Sequence, residues 1–562
     1  MRLIGSLHLL LFLASLGVMS KPSLQPRTAR ATDSDKLHQR RAFLSVAVLG
    51  DYLYIEGGEQ SHYLDSGKMG TDSNGNEFNT DAGADQAVTQ FIPVNQRWAP
   101  QDVQFDTISH GASDMKMVNF PSFWAIGSTL YRWGGQLSNG LQYAEGDKPY
   151  LFSVLPGSGG GSGLTWTRSP IPDSNQLTGA NMASISCDDT GFMYGGYAYK
   201  ATMYAEFDDT QHISGMLMYN TTTQAWKNST TEINIPGRTY SAGKGVCLPG
   251  FLNYSMVAVM GGADLETSQY RAFTNFTFYD PKLDRWYYQK TINPPSPMDD
   301  FCAIGIQGTH GTYEIFLYGG IDQSGKVSSD IWVLSLPLFR WFRYTLNASE
   351  RRSNHACTIA GKRQMISIGG IDRTNSSDAW TSQDPWYNTL GVFDLAELKW
   401  KDVYDPNLGD YNTPTEIWSY YTDQALGQIK WDMTEVENMF MASYYEKNPK
   451  GSQPGNDTTP NNTGNGKSKP AGAIAGGVLG GVVGVAVVSA LAWFFLRRRR
   501  SAEAKRDQCS AWEDHSNQQA KELSSTPPTD PGASYELHST ALLAELEGGS
   551  ARHVHLKPNS PG

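Results

Sequence analysis

Cysteine is scarce in this sequence, five in 562 residues, which excludes a small scaffold held mainly by disulfides. Charge is thin as well. Asp, Glu, Lys and Arg make up 18% of the chain, and no basic domain offsets a formal net charge of −11. That balance argues against nucleic acid as a partner. Catalytic signatures are absent too. There is no HExxH, no GxSxG and no P-loop, since the glycine-rich stretch 157–163 lacks the following Lys-Ser/Thr. The run from Asp72 to Glu77 has the look of a calcium loop. That pattern needs Gly at its sixth position and Glu at its twelfth, and here those positions hold Glu77 and Gly83. Residues His38, His62, His110, His212, His310 and His355 are scattered, with no close pair. We therefore expect no cofactor, no metal site and no catalytic residues.

What the sequence does have is glycine, 57 residues, and aromatics, 12% of the chain. That mix suits a β-rich chain with many turns. Six apolar runs end in a glycine doublet: YLYIEGG at Gly57-Gly58, LYRWGG at Gly134-Gly135, GFMYGG at Gly195-Gly196, VAVMGG at Gly261-Gly262, EIFLYGG at Gly319-Gly320 and MISIGG at Gly369-Gly370. Each is followed by an aromatic or apolar anchor and then a tryptophan: Trp98, Trp166, Trp226, Trp286, Trp341 and Trp400. The anchor lies seven residues before the tryptophan in five units (Phe91, Tyr219, Tyr279, Leu334 and Phe393). In the second unit Phe152 and Trp166 are fourteen apart, and the insertion LPGSGGGSGL carries the surplus. Such self-similarity marks a repeat architecture.

These residues resemble the kelch repeat, over about 360 residues and six copies. The resemblance implies an all-β kelch β-propeller spanning residues 42–403. Six blades are expected; seven remain open if degenerate strands at the two ends combine, with 415–421 as a ring-closing strand. The fifth unit parses into strands at 301–306, 313–318, 330–335 and 339–345. The second strand should end at the glycine doublet, where the chain bends with φ > 0. The anchor and the tryptophan should fill the space between neighbouring sheets. Two departures stand out: the tryptophans are 55 to 68 residues apart, beyond the usual kelch period, and Leu334 stands where an aromatic is expected. Both place doubt on loops and not on strands. Kelch propellers include copper oxidases of the galactose-oxidase type, which need histidine ligands and a tyrosine joined to cysteine. That is the alternative to a binding role.

Outside the repeat, residues 1–20 read as a cleaved secretory signal, with an uncleaved anchor as the alternative. Residues 21–41 read as a flexible leader. Its Arg40-Arg41 pair is either a processing site or, as we prefer, part of a solvated charge run. Residues 404–447 are too aromatic for a free linker and should pack on the propeller. Residues 448–470 read as a stalk. Residues 471–496 carry no charge and are followed at once by Arg497–Arg500, which predicts one membrane span with the C-terminus cytoplasmic. The spaced glycines Gly472, Gly476, Gly480 and Gly484 suit a dimerising helix, although glycine is common in single spans. Residues 497–562 read as a disordered tail able to recruit a cytoplasmic partner, with Cys509 as a weak palmitoylation candidate. The whole layout resembles fungal single-pass kelch-repeat membrane proteins. It implies a protein of the plasma membrane or another secretory-pathway membrane.

Eight glycosylation sequons, at Asn220, Asn228, Asn253, Asn275, Asn347, Asn375, Asn456 and Asn461, lie between the signal and the span. None falls in the first two blades. The long loops 59–90 and 100–119 lie there, and this glycan-free sector is a candidate ligand surface; a floppy insertion is the competing reading. Loop aromatics Tyr197, Tyr199, Tyr204, Trp380, Trp386 and Tyr387 could stack on sugar rings, or could simply pack within their loops. Cys187, Cys247, Cys302 and Cys357 fall in the first strands of blades three to six. We expect free thiols there, because equivalent positions of neighbouring blades are expected to lie beyond disulfide reach. The function expected is recognition of an extracellular glycan or protein.

Overall fold

The computed structural model describes residues 38–448, except 63–87, 112–114, 138–148, 172–177, 200, 203–209, 230–239, 252–253, 265–266, 346–349, 375–378 and 381. The expected signal, stalk, membrane span and tail lie outside the described residues. No helix among the described residues is long and apolar enough to cross a membrane.

The chain folds as a six-bladed β-propeller. Each blade is a four-stranded antiparallel meander whose strands pair in chain order. The innermost strands are Ser45–Leu49, Ser122–Ile126, Ala183–Cys187, Lys244–Leu248, Met298–Gln307 and Ala356–Ala360. Each neighbours the next, and the sixth neighbours the first, so the ring is closed. No strand is exchanged between the chain ends, and no seventh blade is present among the described residues.

The glycine doublets are the joints between blades. The second glycine of each donates its N–H to a carbonyl at the head of the next blade. Gly58 reaches Val118 O at 2.9 Å, Gly135 reaches Gly179 O at 3.0 Å and Gly196 reaches Tyr240 O at 2.7 Å. Around the ring, Gly262 reaches Met298 O at 3.1 Å, Gly320 reaches Arg352 O at 3.0 Å and Gly370 reaches Arg41 O at 2.5 Å, which closes it. The first glycine lies against the same carbonyl in most joints: a Cβ on Gly195 would sit 2.0 Å from Tyr240 O. All twelve glycines have positive φ. The bend therefore serves a backbone contact that a side chain would block. In five blades the second strand ends just before its doublet as expected, at Glu56, Trp133, Tyr194, Met260 and Ile368. Blade five departs from this: its second strand, Tyr313–Asp322, runs through Gly319 and Gly320 and stays paired to Met298.

The tryptophans fill the gaps between blades. Four stand directly opposite their anchors: Trp226 to Tyr219, Trp286 to Tyr279, Trp341 to Leu334 and Trp400 to Phe393. Each also packs on the preceding blade, as Trp226 does on Trp133 (4.6 Å between ring centroids) and Trp286 on Tyr194 (5.3 Å). Blade one departs from the pattern. Its fourth strand is Asp106–Ser109, inside the stretch read as a loop, and Phe91 pairs with Asp106. Trp98 lies off that strand, yet it stacks on Tyr404 at 4.9 Å and so fills the gap between blades six and one. In blade two the glycine-rich insertion folds onto blade one: Tyr54 Oη donates to Gly160 O at 3.2 Å. A Cβ on Gly160 would strike the Phe91 ring.

Three further expectations are corrected. The cysteines are bridged, Cys187 to Cys247 and Cys302 to Cys357, with Cα separations of 5.3 and 5.7 Å. Innermost strands converge on the axis, so equivalent positions in adjacent blades come within the ordinary disulfide range. The Arg40-Arg41 pair is buried and lies in the strand His38–Ala42, paired with Glu59–His62. Arg40 donates from Nε to Ser382 O at 2.7 Å and from Nη2 to Ser382 Oγ at 3.0 Å, and its Nη1 lies 3.9 Å from Asp384. The leader thus ends before the ring-closing joint and not after it. Residues 415–421 supply no strand: Thr415–Trp418 is a short helix, α1, and Trp418 stacks on Tyr421.

Residues 404–447 do pack on the propeller, as α1, α2 (Asp423–Gly427) and α3 (Thr434–Lys447). Phe440 of α3 meets Phe251, Phe339 and Phe278 at 4.3, 5.0 and 5.5 Å between ring centroids. Phe251 and Phe339 lie in turns between first and second, or third and fourth, strands. Those turns share one face of the ring, and the glycine doublets share the other.

Candidate functional site

Antiparallel order puts the loops between second and third strands, and those between blades, on the doublet face. Loops on that rigid frame are where recognition residues can vary without disturbing the sheets. At its centre stand six residues in the left-handed region, one per blade: Phe43, Phe120, Asn181, Ala242, Asp300 and Asn354. Backbone bonds link them around the axis, including Phe43 N to Asn354 O (3.0 Å), Phe120 N to Phe43 O (2.7 Å) and Asn354 N to Asp300 O (2.9 Å).

This mouth has two halves of different chemistry. On one side Phe43 packs on Phe120 at 4.8 Å and on Trp380 at 5.6 Å, with the Arg373 guanidinium 5.8 Å from the Phe43 ring. On the other, Lys244 stands near Asp300 and Asp299, and Arg373 draws on Asp299 from the aromatic side. Burial pulls the Lys244 ammonium below its ordinary pKa, against the pull of those carboxylates. Burial pushes Asp299 well above the usual carboxylate range, and the neighbouring Asp300 charge adds to the rise.

Beside the mouth, blade five carries a cleft of about 410 Å³ on the same face. Pro295 and Ser296 of the loop entering the blade form one wall, and the loop from Asp322 to Asp330 forms the other. Val327 and Met298 are buried, while Trp332 is half-buried at the margin. Arg343 reaches across from the fourth strand. Its Nε and Nη2 donate to Asp330 Oδ2 at 2.8 and 2.7 Å, and its guanidinium lies 5.7 Å from the Trp332 ring. Asp322 is committed to its own loop, with Oδ1 accepting from Ser324 N (2.9 Å) and Lys326 N (3.1 Å). Arg351 pairs with Asp372 at 3.1 Å.

The aromatic residues singled out in the sequence scatter. Tyr197 is buried and donates to Gln136 Oε1 at 2.7 Å. Trp386 is buried between blades five and six, with the Arg352 guanidinium 3.5 Å from its ring and Trp400 at 4.6 Å. Neither can stack on a ligand. Their loops fold back because a ring next to a gap between blades gains more from burial there than from water. Tyr199 and Trp380 are half-buried and Tyr387 is exposed; Tyr204 lies outside the described residues. Among the sequons, Asn228 is exposed, whereas Asn220 and Asn275 are half-buried. Asn220 Oδ1 accepts from Thr223 N at 2.8 Å. Asn253, Asn347, Asn375, Asn456 and Asn461 lie outside the described residues.

Among the described residues no group of three or more His, Cys, Asp and Glu gathers as a metal site. The residues that sequence reading missed are those of the cleft and the polar half of the mouth. They carry no motif; their only signal is proximity to a doublet. The chain matches no known family model and no curated protein.

Proposed function

We propose that this chain is a cell-surface recognition protein whose kelch-type propeller binds an extracellular protein or glycan through the doublet face. The observation that carries this is the path of the chain. The C-terminal extension packs on the opposite face, under blades four to six. Its end is tied there, with Asn448 Nδ2 donating to His310 O at 2.6 Å. Among the described residues the extension thus leaves the doublet face uncovered. The twelve-glycine frame is rigid and preformed, which suits binding at low ordering cost. The two disulfides accord with an oxidising compartment, and so with the secretory route inferred from the N-terminal segment. They also take up all four described cysteines, leaving no thiol there for the tyrosine–cysteine pair of an oxidase. One membrane span with a cytoplasmic tail, and dimerisation through the spaced glycines, belong to the same proposal.

The test is a deletion on the glycan-free sector. Glu59–His62 pairs with the leader strand and Val88–Pro93 is the third strand of blade one, so residues 63–87 can be removed without cutting either. The full-length chain and the deleted one are each exposed to glycan and surface-protein arrays. Loss of the captured ligand with an unchanged unfolding temperature supports the reading. Undiminished capture removes this sector from the ligand surface.

A further inference from the structure

The cleft on blade five is lined by three cations, Lys326, Arg343 and Arg351, and two carboxylates, Asp322 and Asp330, with Arg351 taken up by Asp372. Both carboxylates are engaged. Asp322 holds its loop through backbone N–H groups, and Asp330 Oδ2 takes the Arg343 fork. The Lys326 ammonium, exposed although drawn to Asp322, and the outward guanidinium edge of Arg343, whose side chain is 57% exposed, can meet a ligand. The half-buried Trp332 indole offers an apolar plane beside them. A volume of about 410 Å³ lies in the range of small-ligand pockets, enough for one or two sugar rings and small for a folded peptide segment.

We infer that this cleft is a subsite for an acidic saccharide, with a hexuronate ring lying against Trp332 and its carboxylate meeting Lys326 and Arg343. The indole face supplies apolar contact to the ring's C–H groups. The cations supply charge-assisted bonds that a neutral hexose cannot use. Ser296, Ser328 and Ser329 also stand on the walls, with Ser328 Oγ accepting from Asp330 N at 3.0 Å. The inference rests on the reading of the doublet face as the recognition surface, and it moves the contact point from blades one and two to blade five.

The experiment is microcalorimetry on the full-length chain with glucuronate oligosaccharides and with the matching neutral gluco-oligosaccharides. The expected result is saturable one-site binding of the acidic probe, at least about tenfold tighter than the neutral one and weakening with added salt. Lys326→Ala and Trp332→Ala should each weaken it by about tenfold or more. Lys326 is exposed, so its variant should keep the unfolding temperature of the parent even if the tryptophan variant does not. Equal binding of both probes, no binding of either, or full binding by Lys326→Ala overturns the subsite. The two readings fail separately. Array capture that depends on residues 63–87 without uronate binding removes the cleft alone. Uronate binding without such capture removes the blade-one sector alone.

Discussion

At the residue scale, the doublet glycines are held by collision geometry and not by the bend alone. A methyl at Gly195 would meet Tyr240 O at 2.0 Å, and the same carbonyl accepts the Gly196 N–H. The backbone cannot yield without breaking the joint to the next blade. Gly195→Ala should therefore cost about 3 kcal/mol or more. Gly50 is the control: its φ is +58° with nothing within 4 Å of a Cβ, so Gly50→Ala should cost about 1 kcal/mol. Denaturant unfolding of the two variants checks the difference, and equal losses would refute the joint. The doublets were legible from sequence because spacing exposes them. The partner carbonyls were not, since any residue can supply one.

At the element scale, the C-terminal extension is clasped to blade five by a buried carboxylate. Glu314 accepts from Ser335 Oγ at 2.8 Å, Thr312 Oγ1 at 3.2 Å and Thr413 Oγ1 at 3.3 Å. Tyr421 Oη joins through Ser335 at 2.7 Å, and Tyr411 also faces the group. Burial pushes Glu314 up to about 7, although the hydroxyls pull the other way. Its folded value stands above the usual value near 4.5. The acid form is therefore the favoured one in the fold. Its stabilising contribution is complete below about pH 4.5 and is lost as pH rises through about 7, a change on the order of 3 kcal/mol. Unfolding temperatures of the full-length chain at pH 5 and pH 8 should show the fall, and Glu314→Gln should flatten it. An unchanged slope in that variant would remove Glu314 as the cause. The packing of this segment could be read from its aromatics. Its helices could not, because TEIWSYY suits a strand equally well until the edge of blade six is seen to be occupied by Lys399–Lys401.

At the scale of the whole molecule, closure without an exchanged strand places the load on the residues ahead of blade one. Gly370 N bonds to Arg41 O, Phe43 N bonds to Asn354 O, and Arg40 is buried against Ser382 and Asp384. A chain beginning at Ala42 should lose about 3–5 kcal/mol relative to one beginning at His38. Denaturant midpoints of the two chains measure this, and coincident midpoints would show that the ring closes without the latch. Charge patterning misled here. Two adjacent arginines on a polar stretch read as solvated, and only the fold brings Asp384 to Arg40 from 344 residues away and Gln90 to Arg41.

The sequence alone determined the number of repeats, the identity of the joint glycines and the gap-filling tryptophans, because each is a local pattern repeated at a regular interval. Only the tertiary structure decided which cysteines meet, which aromatics are buried, how the ends of the ring are latched and where a cleft opens. Those depend on the convergence of strands at the axis and on loops of unequal length, and neither leaves a periodic trace in the chain.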